Sequence, residues 1–262
     1  MKNTTTSMAA PAVTIGVRLR DALPVERLEG TGFPGRWVGG TSMVLGPLLM
    51  LAGASLRARF HFFYPDQLAA YERHPTLMAT AYGLFAAGSL LLWPAVAVMA
   101  ARIGGRSAGW GLWGGGLVMF GLFARAFHAG VDHLAFQLVR SQGVEAATEA
   151  VSAGYGAFHV FAALNIAILA GWIVLAVGAW RTRVLGPVRA AALGLTAALP
   201  LGVLKGTTPL SLVALAGLCA GLVPFGLALL REGPRPSRKA VLRWVPLTLV
   251  TLGLLVLLGQ AG

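Results

Sequence analysis

Apolar residues occur along this chain in seven long blocks separated by short polar segments. A helix crosses the hydrocarbon core of a bilayer with about 20 consecutive, mostly apolar residues. The pattern therefore predicts an all-α polytopic membrane protein with seven transmembrane helices. The approximate blocks are Trp37–Leu56, Leu77–Ala101, Trp110–Val139, Ala153–Trp180, Val184–Leu204, Pro209–Leu230 and Trp244–Leu258.

Composition agrees with this pattern and leaves little room for a soluble domain. The chain is 56% hydrophobic and 11% charged, whereas a soluble domain has about 25% charged residues. Residues 1–36 are polar and basic, and they predict either a tail or a short helix at the membrane interface. Residues 37–262 are predicted to form the seven-helix transmembrane domain.

The net charge of +12 raises the possibility of nucleic-acid binding. The basic residues, however, lie mostly in short loops between apolar blocks, where they act as topology signals. Fifteen Lys and Arg residues fall in the amino-terminal segment and alternate loops, against five on the opposite side. We therefore predict no nucleic-acid partner and a multi-pass protein of the cell membrane with a cytoplasmic amino terminus.

The third apolar block carries an unusual group of ionisable residues. Arg125, His128 and Asp132 are spaced three and four residues apart, so they share one helix face, whereas His133 is turned about 100° away. A charged residue within a bilayer costs at least about 2.5–3.5 kcal/mol and usually faces a partner or a cavity. Two interpretations remain open: a functional site, or an Arg125–Asp132 ion pair that only fixes helix packing.

Other polar residues are predicted at the same outer level of the membrane. His159 is expected about two turns inside the fourth span, at the depth of His133. The loop between the first two spans, which contains Asp66 and Glu72, lies on the same side. The sequence therefore predicts that histidines and acids converge there.

Aromatic residues are also frequent in these segments. Aromatic faces stabilise positive charge, so an aromatic wall beside a carboxylic acid suits reactions that pass through carbocations. The predicted substrate-binding residues are Phe63, Tyr64, Trp113, Phe127, His133 and His159.

One possible function is therefore acid catalysis on a lipophilic substrate. A carboxyl group in apolar surroundings favours its neutral form and can protonate an alkene or an epoxide. Asp132 is the best-placed acid, and His128 or Arg125 could orient it. Asp66 is a candidate second acid or final base, and Glu72 is an alternative acid.

Two segments, "RFHFFYPDQLAAYERHP" and "FARAFHAGVDHLAFQLV", carry a resemblance to a known family. Together with the seven-span plan, they resemble membrane-embedded terpene cyclases, which include fungal meroterpenoid cyclases and actinobacterial indolosesquiterpene cyclases. The resemblance implies a secondary-metabolism enzyme that cyclises a prenyl chain, or its epoxide, on an aromatic or indole-type group. It implies a lipophilic prenylated substrate, no metal and no cofactor. The family's pair of acids has no matching motif here.

Two other classes remain open from the residues alone. A binding protein, such as a transporter, an immunity protein or a sensor, is one, although no inverted repeat with broken helices is visible. A metalloprotein is the other. His128, Asp132, His133 and His159 could bind zinc, or His128 and His159 could bind haem.

Overall fold

The structure is a computed structural model that describes residues 34–154, 156, 159–232 and 236–261. Within these ranges the chain contains helices and no strand, so the all-α prediction is confirmed. The amino-terminal tail was predicted over residues 1–36, and its first 33 residues lie outside the described residues. The α-helices are α1 (Gly35–Leu56), α2 (Tyr64–Arg73), α3 (Pro75–Gly104), α4 (Ala108–Gln142), α5 (Val144–Gly154), α6 (Val160–Arg181), α7 (Pro187–Gly194), α8 (Pro209–Arg231) and α9 (Arg238–Ala261).

Six of these helices are long and apolar enough to cross a membrane: α1, α3, α4, α6, α8 and α9. The prediction of a polytopic membrane protein is therefore confirmed. α4 has 35 residues, which at 1.5 Å per residue is about 52 Å. It is longer than a bilayer core, in agreement with the unusual length of the third apolar block.

The fifth predicted span, Val184–Leu204, differs from the prediction because it is not one continuous helix. It forms α7, then a 3-10 turn at Leu195–Ala198, and then a non-helical stretch that leads to α8. We call residues 184–208 the broken crossing. Pro200 has no N–H to continue a helix, and Gly202 has φ +125°, a conformation that favours glycine.

The broken crossing nevertheless runs from one end of the bundle to the other. At its start, Arg106 Nη1 donates to the Thr182 carbonyl oxygen over 2.8 Å. Near its end, the Gly206 N–H donates to the Phe62 carbonyl oxygen, also over 2.8 Å. Within the described residues, the chain therefore has six helices long enough to cross a membrane and one broken segment that also runs the length of the bundle.

Five of the long helices (α1, α3, α4, α6 and α8) pack around an apolar core, whereas α9 is exposed along its described length. α1 lies between α3 and α8, and α4 packs on α6. A Cβ atom on Gly88 would lie 2.5 Å from the Gly46 carbonyl oxygen, so the backbones of α1 and α3 approach too closely for any side chain there. Small residues commonly allow such approaches between membrane helices.

α2 and α5 lie together at one end of the bundle, which we call the α2 end. Gln67 of α2 accepts a hydrogen bond from the Tyr82 hydroxyl of α3 over 3.0 Å. The predicted fourth span began at Ala153, but α5 ends at Gly154 and α6 begins only at Val160. His159 therefore lies immediately before α6 and not two turns inside it.

Candidate functional site

A cavity of about 320 Å³ lies between α1, α3, α4, the broken crossing and the beginning of α8. This volume is within the usual range for small-molecule sites. Four of its lining residues are exposed, namely Ala79 and Gly83 of α3 and His133 and Arg140 of α4, so the cavity is open between these two helices. Non-helical backbone at membrane depth is tolerated where protein buries it or where it lines a cavity, and the broken crossing has this position.

The polar face predicted on α4 lines this cavity. Arg125, His128 and Asp132 all contribute to its wall, as their spacing indicated, and His133 does so as well. His128 and Asp132 are buried. The helix face predicted from their spacing therefore forms the α4 side of the cavity wall.

Asp132 is bonded to the backbone of the broken crossing. Its Oδ1 accepts a hydrogen bond from the Leu204 N–H over 2.5 Å. Leu204 is fully buried and has φ +49°, a left-handed conformation that is uncommon for leucine. The carboxyl group thus satisfies a buried N–H that no regular helix would satisfy.

Arg125 is also bonded to the broken crossing. Its Nη1 donates to the Pro200 carbonyl oxygen over 3.2 Å. In the described part of the chain, Arg125 and Asp132 form no salt bridge with each other. The interpretation of these two residues as an ion pair is therefore not supported by their positions.

Arg57, at the end of α1, provides a third link to the same segment. Its Nε donates to Thr207 Oγ1 over 3.3 Å, and that hydroxyl donates to the Ala54 carbonyl oxygen over 2.9 Å. The Arg57 guanidinium lies 4.1 Å from the Tyr82 ring centroid and 4.8 Å from that of Phe85. Arg57 is only 5% exposed, although its position in the sequence predicted an ordinary loop cation.

The charges in the cavity wall are mainly positive. Asp132 is the one carboxylic acid in the described lining. The basic side chains in the lining are Arg57, Arg125, Arg140 and Lys205. A neutral or positively charged head group would therefore fit this cavity less well than an anionic one.

His159, which was predicted at the depth of His133, lies beside His128. The His128 and His159 ring centroids are 6.3 Å apart, and Phe127 lies 4.8 Å from His159 and 4.7 Å from Phe161. The buried Nδ1 of His159 has no hydrogen-bond partner among the described residues. Phe127 and His159 are therefore neighbours of the cavity wall and not part of its described lining.

The two other predicted acids are outside the described cavity lining. Asp66 is exposed and forms an ion pair with His61, with 2.8 Å between Oδ2 and Nδ1. Glu72 is exposed on α2. Both acids belong to the α2 end of the bundle, and the sequence could not show that they face away from the cavity.

Most of the predicted aromatic contacts are also outside the cavity. Trp113 is 65% exposed on α4, Phe63 is exposed, and Tyr64 is buried elsewhere against α5. Phe63 and Tyr64 have ring centroids 4.7 Å apart. The aromatic residues in the cavity wall are Tyr71, Tyr82, Phe85 and Phe136.

These cavity aromatics form a connected group. Phe136 stacks on Tyr71 with 4.2 Å between ring centroids and meets the Tyr82 ring edge-on at 5.0 Å. Phe136 could have been found from sequence, since it lies one turn after Asp132 on the same face of α4. Tyr82 and Phe85 carried no such signal, because they lie in an apolar block without charged residues.

No group of three or more His, Cys, Asp or Glu side chains in the described ranges has an arrangement suitable for a metal ion. Comparison of the chain with protein-family models, curated proteins and solved structures gives no significant match.

Proposed function

We propose that the cavity binds a lipophilic small molecule and that Asp132 protonates it, which makes the protein a membrane-embedded terpene cyclase. The observation that carries this proposal is the position of Asp132. It is the one acid in the described cavity wall, and it forms no salt bridge there. The resemblance to membrane terpene cyclases supplies the reaction type.

The proposed reaction begins when Asp132 gives its proton to a terminal alkene carbon or to an epoxide oxygen. The electron pair of a neighbouring alkene then attacks the resulting cation and closes a ring. The last cation loses a proton from carbon, so an alkene or an aromatic ring forms again and the product is an isomer of the substrate. His128 and His133 line the cavity and are the candidate acceptors of that proton.

The aromatic group of Tyr71, Tyr82 and Phe136 supports this chemistry because ring faces stabilise positive charge. Asp66 and Glu72 are not part of the proposal, since both are exposed outside the described lining. The role of second acid or final base, proposed for Asp66 from sequence, therefore has no geometric support.

The experiment is an assay of membranes that carry the protein, with prenylated indoles, prenylated phenols and their epoxides as substrates. We expect Asp132→Asn to lower turnover at least about 100-fold, because general acid catalysis contributes about that much. The asparagine amide can still accept the Leu204 N–H bond, so the variant should fold. Asp66→Asn and Glu72→Gln are the matched controls and should remain active. Full activity of Asp132→Asn would remove the acid assignment.

A second candidate function, a transporter or binding protein, is favoured by the broken crossing. Several transporters bind substrate where a membrane helix is interrupted, and the broken crossing lines this cavity. The same assay separates the two functions. A binding protein would return the molecule chemically unchanged, whereas a cyclase would release an isomer.

A further inference from the structure

Two guanidinium groups lie at the same aromatic ring in the cavity wall. The Cζ atom of Arg57 is 4.8 Å from the Phe85 ring centroid, and that of Arg125 is 5.6 Å from it. Both arginines line the cavity. Arg57 and Arg125 are close enough for their charges to repel each other. The one carboxyl group in the described wall, that of Asp132, offsets this only in part, because it interacts electrostatically with Arg57.

The protein groups bonded to these arginines are neutral. Arg57 Nε donates to the Thr207 hydroxyl, and Arg125 Nη1 donates to the Pro200 carbonyl oxygen. Asp132 accepts from the Leu204 N–H and lies within electrostatic range of Arg57, but it forms no salt bridge with either arginine among the described residues. A guanidinium has five N–H donors, so the protein bonds recorded here leave donors for a ligand.

A planar fork of N–H donors binds the paired oxygens of a carboxylate or a phosphate. We propose that Arg57 and Arg125 hold the anionic head group, a carboxylate or a phosphate, of a lipophilic ligand. This inference rests on the proposed function, because it names the class of substrate that the same cavity takes.

The position of Asp132 fits this arrangement. It lies seven residues after Arg125 on α4, which is about 10.5 Å along the helix. A head group held by Arg125 would therefore be separated from the carbon that accepts the proton, whereas Arg57 lies within electrostatic range of Asp132. The apolar chain between the head group and that carbon would lie against Tyr82. Tyr71 and Phe136 lie beyond Asp132 on the side away from Arg125. A bound anion would also reduce the positive potential, which otherwise opposes a carbocation.

The test uses the full-length protein in nanodiscs of phosphatidylcholine, with empty nanodiscs as background. Binding of farnesyl phosphate, farnesoic acid and farnesol is measured for wild type, for Arg125→Gln and for Arg73→Gln. Arg73 is exposed on α2 outside the described lining, so its variant is a control for loss of one charge. Each ligand is compared only with itself between variants, so differences in bilayer partitioning cancel.

We expect Arg125→Gln to weaken the binding of farnesyl phosphate and of farnesoic acid at least about tenfold, which is the effect of losing a charge-assisted hydrogen bond. Farnesol binding should change less than about twofold, and Arg73→Gln should behave as wild type. Equal weakening of all three ligands, or of none, would overturn the proposal. If Arg125→Gln does not fold, the wild-type protein alone tests the proposal. Farnesoic acid must then compete for the site better than its uncharged methyl ester at equal bilayer concentration, and equal competition would overturn the proposal.

Two further arms separate the sources of the anion and the two proposals. Competition by inorganic phosphate would show that the head group alone binds, whereas competition by added phosphatidylglycerol would identify a membrane lipid as the ligand. One outcome is that Asp132→Asn loses cyclisation while Arg125→Gln binds the anionic ligands as well as wild type does. That outcome would refute the anion site and leave the cyclase proposal standing. If anionic ligands bind in an Arg125-dependent way but no product forms, the anion site would be supported and the cyclase proposal refuted.

Discussion

The broken crossing and α8 are neighbouring segments of similar apolar composition, yet they have different backbones. α8 is a continuous helix of 23 residues that begins with a Thr208–Ser211 capping box. The broken crossing has eight residues of α-helix followed by a 3-10 turn and a non-helical stretch. Its non-helical backbone is bonded to Asp132, Arg125 and Phe62.

This difference shows where polar residues are needed inside the membrane. A continuous helix satisfies its own backbone N–H and C=O groups, so α8 can be almost entirely apolar. The broken crossing exposes backbone groups that must find partners elsewhere, and α4 supplies two of them. The break and the ionisable residues on α4 therefore belong to one feature, and the cavity lies between them.

The largest expected effect on stability is at the contact between the two segments. A Cβ on Gly217 of α8 would lie 2.4 Å from the Ala192 carbonyl oxygen of α7. Neither backbone can move without disturbing its own helix, so Gly217→Ala should destabilise the protein by about 3 kcal/mol. Denaturant titration in mixed micelles measures this change. Gly116→Ala, where the new methyl group meets open space, is the control, and equal effects would show that α7 and α8 are not this close.

The next effect concerns the link from α4 to the broken crossing. Asp132→Ala leaves the buried Leu204 N–H without its acceptor and should cost about 2 kcal/mol. Asp132→Asn should cost clearly less, because its side-chain oxygen can still accept. The same titration applies, with Glu145→Ala on α5 as an acid-to-alanine control. Similar stability of the alanine and asparagine variants would argue against the Asp132–Leu204 bond.

A smaller effect is expected where the broken crossing turns. Gly202 has φ +125°, so Gly202→Ala should cost about 1–2 kcal/mol through backbone strain. Gly186→Ala is the control, since Gly186 precedes α7 with φ −66° and open space around it. A fully helical fifth span would tolerate both substitutions alike, and that result would contradict the break.

The sequence predicted the helical class, and the apolar blocks located five of the six long helices well. The fifth block was misjudged because Pro200 and Gly202 were treated as ordinary residues of a membrane helix. Their effect on the backbone depends on partners from α4, which hydropathy does not contain. The fourth block was placed too early because α5 is apolar enough to continue the pattern towards Val160.

The site was predicted in part. Helical spacing identified Arg125, His128 and Asp132, because residues three and four apart share a face whatever the tertiary structure. The partners of Arg125 and Asp132 are backbone atoms of Pro200 and Leu204, and backbone atoms leave no signature in a sequence. Arg57 was missed because a cation near a helix end also serves as a topology signal.

The smallest effects are expected at the two acids that lie outside the described cavity lining. Asp66→Asn and Glu72→Gln should each change stability by less than about 0.5 kcal/mol, as is usual for exposed positions. The His61–Asp66 pair is exposed, and such pairs contribute little. A large loss in either variant would show that the α2 end contributes more to the fold than this exposure indicates.

The most direct test of the cavity beside the broken crossing is the accessibility of Ala129, which lines it between Arg125 and Asp132. Cys219 is replaced by serine, and Ala129→Cys is treated with a small anionic thiol reagent. Ala126→Cys is the control, since Ala126 is exposed on α4 but outside the described lining. We expect rapid labelling at position 129, because the cavity admits the anionic reagent, and protection of this position by a bound lipophilic ligand. Labelling at position 126 should be slow, because an exposed residue of a membrane-spanning helix outside the cavity faces lipid. An unreactive thiol at position 129, or equal rates at both positions, would contradict the cavity and the site proposed in it.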